Sequence, residues 1–137
     1  MNHEIGIFTK ALIIFNRRAL MIRRSNNAAM GKGEWDIPGG GFLFGETPLD
    51  CVRREIIEET GATPKIDRLL FATSFVRGHK HIFGLVYLCH ADNDIVTLSD
   101  EHTEFMWATR QQLEENLYGP MLEDYKANSI FEILEID

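Results

Sequence analysis

Cysteine is scarce in this chain. Two stand in 137 residues, Cys51 and Cys89, with neither metal-ligand spacing nor a disulfide framework. A reduced, cytoplasmic compartment is the simplest reading of that usage. Long apolar runs are missing as well. The longest near the N-terminus is Ala11-Leu12-Ile13-Ile14-Phe15, against the ~20 residues that a membrane span requires. Arg17 and Arg18 follow it closely, with no small-residue cleavage site, so neither a membrane anchor nor a signal peptide is expected. Positive charge is also in short supply: 14 Lys and Arg face 21 Asp and Glu, a formal net charge of −7. Proteins that hold nucleic-acid polymers present a basic face, so no such partner is expected. A small phosphorylated ligand stays open, provided that a cation lies between.

What the chain does have is enough apolar residue, 45%, for the core of one compact domain spanning residues 1–137. No repeat, linker or low-complexity tract divides it. The pattern is α/β. A strand over Lys10–Phe15, a turn at Asn16–Arg18 and a strand over Ala19–Arg24 form a hairpin. A polar loop covers Ser25–Glu34. Trp35–Gly41 reads as a short strand entering a glycine turn, and Ser74–Ala91 as two strands around a tight turn at Gly78. Phe105–Ala108 is a further short strand. Thr109–Leu117 and Pro120–Leu134 read as helices.

The clearest helix follows Glu46. Thr47 suits the N-cap, Pro48 the first helical position, and Asp50 the positive end of the helix dipole. Gly61 is the matching stop. Leu49, Val52 and Ile56 recur at helical spacing as an apolar stripe. Glu55 and Glu59 flank that stripe one turn apart, and Glu58 points further out. Two carboxylates beside a buried face repel each other unless something positive sits between them. On spacing alone two readings stand level: a solvated, salt-bridged face in which Arg54 pairs with Glu58, or a site where Glu55 and Glu59 share a hard divalent cation. The glycines before the helix, Gly39-Gly40-Gly41, favour the second, because backbone without a Cβ can approach a ligand closely.

The whole segment resembles the Nudix box, Gx5Ex7REUxEExGU with U a bulky aliphatic. Here it reads Gly40, Glu46, Arg54, Glu55, Ile56, Glu58, Glu59, Gly61, Ala62, with every fixed letter at its spacing. Ala62 is smaller than the usual aliphatic, and Leu43 stands where many members carry another glutamate. The lead-in Trp35–Gly40, the hairpin ending in Met21–Ser25 and the later Glu104–Leu113 are also similar to their counterparts in Nudix domains. The resemblance implies a Nudix fold, a mixed β-sheet sandwiched between helices, with the box at 40–62. It implies hydrolysis of a pyrophosphate bond in a nucleoside diphosphate linked to another group, with Mg²⁺ or Mn²⁺. Carried over by position, Glu55, Glu58 and Glu59 are the metal ligands, joined by the Gly40 carbonyl. Glu58 is also a candidate catalytic base. Arg54 orients the glutamates, and Glu46 ties the loop to the helix. A homodimer is compatible with the family.

The base that takes a proton from water is also sought in the loop near Glu101 and Glu104. Glu101 is preferred because Glu104 is expected to begin a strand; plain surface charge is the ordinary alternative for both. His102 is expected at the surface. Arg23, Arg24 and Lys32 are candidates to reach phosphates, with Gly39 and Gly40 lining the substrate. Phe8, Phe75 and Phe83 are candidates to stack on a base, although apolar strand residues more often belong to the core. A proline about fifteen residues past the box, common in ADP-ribose pyrophosphatases, is absent. So is the tyrosine of dinucleoside polyphosphate hydrolases. A MutT-type nucleoside triphosphate pyrophosphohydrolase is therefore the preferred expectation. A nucleotide-sugar or ADP-ribose hydrolase and a non-catalytic nucleotide-sensing module are the alternatives.

Overall fold

The computed structural model describes residues 2–137. Its backbone is a mixed sheet. β1 (Glu4–Phe15) and β2 (Arg18–Arg24) form an antiparallel hairpin. Asn16 and Arg17 at its turn both have positive φ, 52° and 64°, which matches the right-handed twist of the flanking strands. β3 (Trp35–Asp36) adds to β2, and β4 (Gly39–Gly41) to β1. β5 (Lys65–Arg77) and β6 (Lys80–His90) form a long hairpin, and β6 runs parallel to β1 over eleven residue pairs from Glu4 to Ile14. β7 (His102–Ala108) closes against β2. No helix among the described residues is long and apolar enough to cross a membrane.

Alternation along the central strands assigns each side chain to one of two cores. Leu12 of β1, Ala19 and Met21 of β2 and Val86 of β6 face one side. There they meet Leu113 of α2 (Arg110–Asn116), Met121 and Tyr125 of α3 (Gly119–Ala127) and Ile130 and Phe131 of α4 (Ile130–Ile133). Ala11, Ile13, Leu20, Ile22, Tyr87 and Cys89 face the other side, where Val52 and Ile56 of α1 (Pro48–Thr60) cover them. The sheet thus lies between helices, as the α/β reading expects.

Three local readings are corrected. The glycines 39–41 are a strand, not a turn. Gly39 has φ 150°, and a Cβ there would come within 2.1 Å of the Thr9 carbonyl oxygen, so β4 can lie this close to β1 only with glycine. The last helix is two helices, because Ser129 takes φ 53° and a left-handed residue ends helical propagation. Leu49 is 45% exposed. The buried face of α1 is turned instead toward Cys51, Val52, Ile56, Glu59 and Thr60.

Candidate metal and phosphate site

The box helix is fixed at both ends by its own sequence. Thr47 and Asp50 form a reciprocal capping box, and Gly61 takes the left-handed conformation, φ 67°, with its N–H donating to the Ile57 carbonyl. This frame sets where its acidic side chains emerge. Arg54 sits at the middle of the acidic set. Its Nε donates to Glu46 Oε2 at 2.6 Å and its Nη2 to Glu46 Oε1 at 2.9 Å, a two-toothed grip. Its Nη1 reaches Glu55 Oε1 at 3.0 Å and Glu58 Oε2 at 3.2 Å, and its Nη2 also donates to the Gly41 carbonyl at 2.9 Å. Glu46 in turn accepts from the Leu43 N–H at 2.7 Å. One guanidinium therefore joins the loop, the glycine strand and two glutamates of the helix. The hydrogen bond from Arg54 holds the Glu46 carboxyl below the usual carboxylate range.

Glu55 lies against the backbone of Gly40. A Cβ at residue 40 would stand 2.5 Å from Glu55 Cδ and 2.6 Å from each carboxylate oxygen. Burial pushes its pKa up, and Arg54 opposes that rise. Glu59 is buried more deeply, with the residue 7% exposed. Its Oε1 accepts from the Gly39 N–H at 2.7 Å, and its Oε2 is 3.7 Å from His102 Nε2. Burial raises the Glu59 carboxyl to about 7, with Lys10 and the Gly39 N–H pulling the other way. His102 is pushed down by its own burial and then by Arg24. One ligand atom from each of Glu59, Glu101 and His102 lies within 4.8 Å of the others.

These groups open into a cleft of roughly 760 Å³. Lys10, Arg24, Glu55, Glu59, Glu101 and His102 all line it, together with the strand glycines 39–41. Lys10 is buried, and its Nζ pairs with Asp36 Oδ2 at 2.8 Å. Arg24 approaches the same oxygen at 3.6 Å. Arg23, the residue before it on the strand, does not line the cleft. Its guanidinium is engaged by Glu104 at 2.8 Å and by the Gly33 carbonyl at 2.9 Å, away from the cleft lining. Glu58 is also off the lining: its side chain is 56% exposed and held by Arg54.

Sequence reasoning missed Lys10 and Asp36. Each is a single charged residue in or beside an apolar stretch, and only the fold brings them together. It also misjudged His102, whose side chain is 6% exposed rather than at the surface. The pairing of β7 with β2 shifts register between Arg23 and Arg24, so alternation along β7 does not signal that burial. The donor set suits a hard divalent cation: carboxylate oxygens of Glu55, Glu59 and Glu101 and the carbonyl of Gly40. The close seat of Glu55 on Gly40, which a Cβ would fill, and the buried His102 Nδ1, which has no hydrogen-bond partner, both fit such a group.

Known proteins are similar to this chain in sequence and in fold. Residues 9–127 match the model of the NUDIX domain. A MutT-like protein of Streptomyces ambofaciens is 33% identical over 100 residues, covering 73% of this chain and 60% of that protein. Nudix hydrolase 2 of Arabidopsis thaliana is 27% identical over 128 residues, covering 91% of this chain and 45% of the relative. The chain therefore spans about half the length of the curated relatives it matches. Among solved structures, the MutT protein of Methanosarcina mazei Go1 superposes with a TM-score of 0.87 at 26% identity, covering 96% of this chain and 98% of that one. By sequence, site geometry and fold together, the chain belongs to the NUDIX domain family.

Proposed function

We propose that this domain hydrolyses a pyrophosphate bond in a nucleoside diphosphate-linked substrate, and that the substrate is a nucleoside triphosphate cut to a nucleoside monophosphate and pyrophosphate. The observation that carries the reading is the seating of Glu55 on Gly40 beside the buried Glu59, with Arg54 fixing the first of them. A carboxylate placed with no room for a Cβ beneath it, next to a second one desolvated to a pKa of about 7, is costly for the fold alone. That cost is offset if a cation is shared between them.

Glu55 and Glu59, with the Gly40 carbonyl, would hold Mg²⁺ or Mn²⁺. When bound, such an ion neutralises phosphate charge and polarises the phosphoryl oxygens. The chain's own residues do the rest. Arg54 keeps Glu55 and Glu46 in place, so the carboxylates need not reorganise during reaction. Arg24 adds positive charge to the wall that a polyphosphate would face. Glu101, exposed on its loop, is placed to accept the proton of an attacking water. The water oxygen forms the new bond to phosphorus, and the bridging oxygen leaves with pyrophosphate. Positioning and charge supply most of the acceleration in such transfers. Support for the triphosphate over other linked groups comes from the missing proline and tyrosine marks downstream of the box.

The test is a panel of normal and oxidised nucleoside triphosphates, ADP-ribose and nucleotide sugars, incubated with the protein and Mg²⁺, with products identified by phosphorus NMR. Monophosphate plus pyrophosphate from a triphosphate is expected. Cleavage of ADP-ribose or a nucleotide sugar alone would replace the triphosphate reading, and no cleavage of any member would remove the enzymatic one.

A further inference from the structure

Beyond the carboxylates, the cleft floor is made by the first half of β1 and the facing part of β6. In their parallel register Phe8 lies opposite Gly84, and Gly6 opposite Ile82. Gly84 has no need of unusual backbone angles, yet a Cβ there would stand 2.5 Å from both Cε2 and Cζ of the Phe8 ring and 3.1 Å from Thr73 Cγ2. The ring therefore leans across the neighbouring strand into space that any other residue at 84 would occupy. Phe8 is half-buried and lines the cleft. At Gly6, the next residue of the same face, nothing lies within 4 Å of the Cβ position, so the space beyond the ring is open.

We propose that Phe8, laid over Gly84, is the stacking platform for the nucleobase of the substrate, an inference that rests on the nucleotide reading above. Spacing supports it. Lys10 stands two residues along the same face, with its Nζ 5.5 Å from the Phe8 ring centroid, and its charge is felt by both Glu55 and Glu59. Two strand residues span about 7 Å, the scale of a sugar between a base on Phe8 and phosphates beside the carboxylates. Across the cleft, Phe75 packs on Tyr118 at 5.1 Å and the Arg77 guanidinium lies 4.6 Å over the Tyr118 ring. That gives the same end of the cleft an aromatic wall. Stacking on an aromatic face tolerates any base, so Phe8 sets affinity for a base as such rather than the choice among bases.

Equilibrium binding tests this without relying on turnover. The probes are the four nucleoside monophosphates and, as a base-free control, ribose 5-phosphate, measured with Mg²⁺ by NMR titration on wild type, Phe8→Leu, Phe8→Tyr and Gly84→Ala. The Phe8 ring protons are expected to move upfield when a monophosphate binds. Phe8→Leu should weaken monophosphate binding roughly tenfold while leaving ribose 5-phosphate within twofold. Phe8→Tyr should bind within twofold of wild type. Gly84→Ala, which lifts the ring, should behave like Phe8→Leu. Phe8→Leu keeps an apolar side chain in place, so it reports even where Gly84→Ala unfolds. Wild-type affinity in Phe8→Leu, an equal loss for ribose 5-phosphate, or no ring shift with any monophosphate would overturn the platform. Failure of the hydrolysis panel with the ring shifts intact would instead overturn only the enzymatic reading.

Discussion

The carboxylate of Glu55 rests on the α-carbon of Gly40, with no room for a methyl group between them. The glycine is required by the acid. Its backbone takes no positive φ, so alanine fits the strand conformation and meets only the glutamate. Gly40→Ala should therefore displace Glu55 by an ångström or more while β4 keeps its pairing with β1. A misplacement of that size costs about 10²-fold in catalytic rate. The checks are kcat on whichever panel member the protein cleaves and Mn²⁺ affinity by electron paramagnetic resonance, with the far-ultraviolet circular dichroism spectrum unchanged. A kcat within twofold of wild type would remove Glu55 from the site.

Arg54 supplies a second test, because its grip depends on shape as much as charge. Both ends of the guanidinium are used: Nε and Nη2 on Glu46, and Nη1 on Glu55 and Glu58. A lysine ammonium is a point charge and cannot span those partners. Arg54→Lys is expected to lose at least tenfold in kcat despite keeping the net charge, with KM changed far less, because Arg54 does not itself line the cleft. If lysine restores turnover relative to Arg54→Ala, charge alone suffices and the bridging role is wrong.

Much of this was legible in the chain because the box helix announces itself locally. Thr47, Pro48, Asp50 and Gly61 each act on their own backbone, so their meaning does not depend on the rest of the fold. The hairpin at Asn16–Arg17 is local in the same way. What sequence could not give is what depends on distant partners or on broken periodicity. The first half of β5 was missed because its register shifts twice, between Ile66 and Arg68 and between Leu69 and Phe71. Each shift inverts the side-chain alternation that marks a strand. Lys10 reads as the charged first residue of an apolar strand until β3 brings Asp36 beside it. Glu59 reads as the edge of a stripe until β4 donates its Gly39 N–H, and only then is it seen to be buried.

The sequence favours Glu101 over Glu104 as the base, and the two differ in space. Glu101 lines the cleft and stands near Glu59 and His102. Glu104 is salt-bridged to Arg23, and neither lines the cleft. Glu101→Gln is expected to lower kcat by roughly 10² to 10⁴, the range for loss of a general base. Glu104→Gln should stay within about twofold. A reversal of that order, measured on the same substrate, would move the base away from Glu101.

The buried carboxyl of Glu59 makes a prediction for the protein without metal. Its folded-state pKa is about 7 against an ordinary 4.5, so between those values the folded chain keeps a proton that the unfolded chain has released. Stability must then fall as pH rises across that window and level off above about pH 7. Glu59→Gln removes the titration while keeping an oxygen to accept from the Gly39 N–H. In chelator, wild type and Glu59→Gln should differ least near pH 4.5, and the variant should become relatively more stable up to pH 7, by at most about 3 kcal/mol for a shift of this size. Paired urea denaturations at several pH values, with EDTA present, measure that difference and cancel titrations common to both proteins. Saturating Mg²⁺ should shrink the gap by stabilising wild type, whose carboxylate it binds, more than the amide. A gap that is flat with pH, or that Mg²⁺ leaves unchanged, would mean that Glu59 is ionised at no cost and holds no cation.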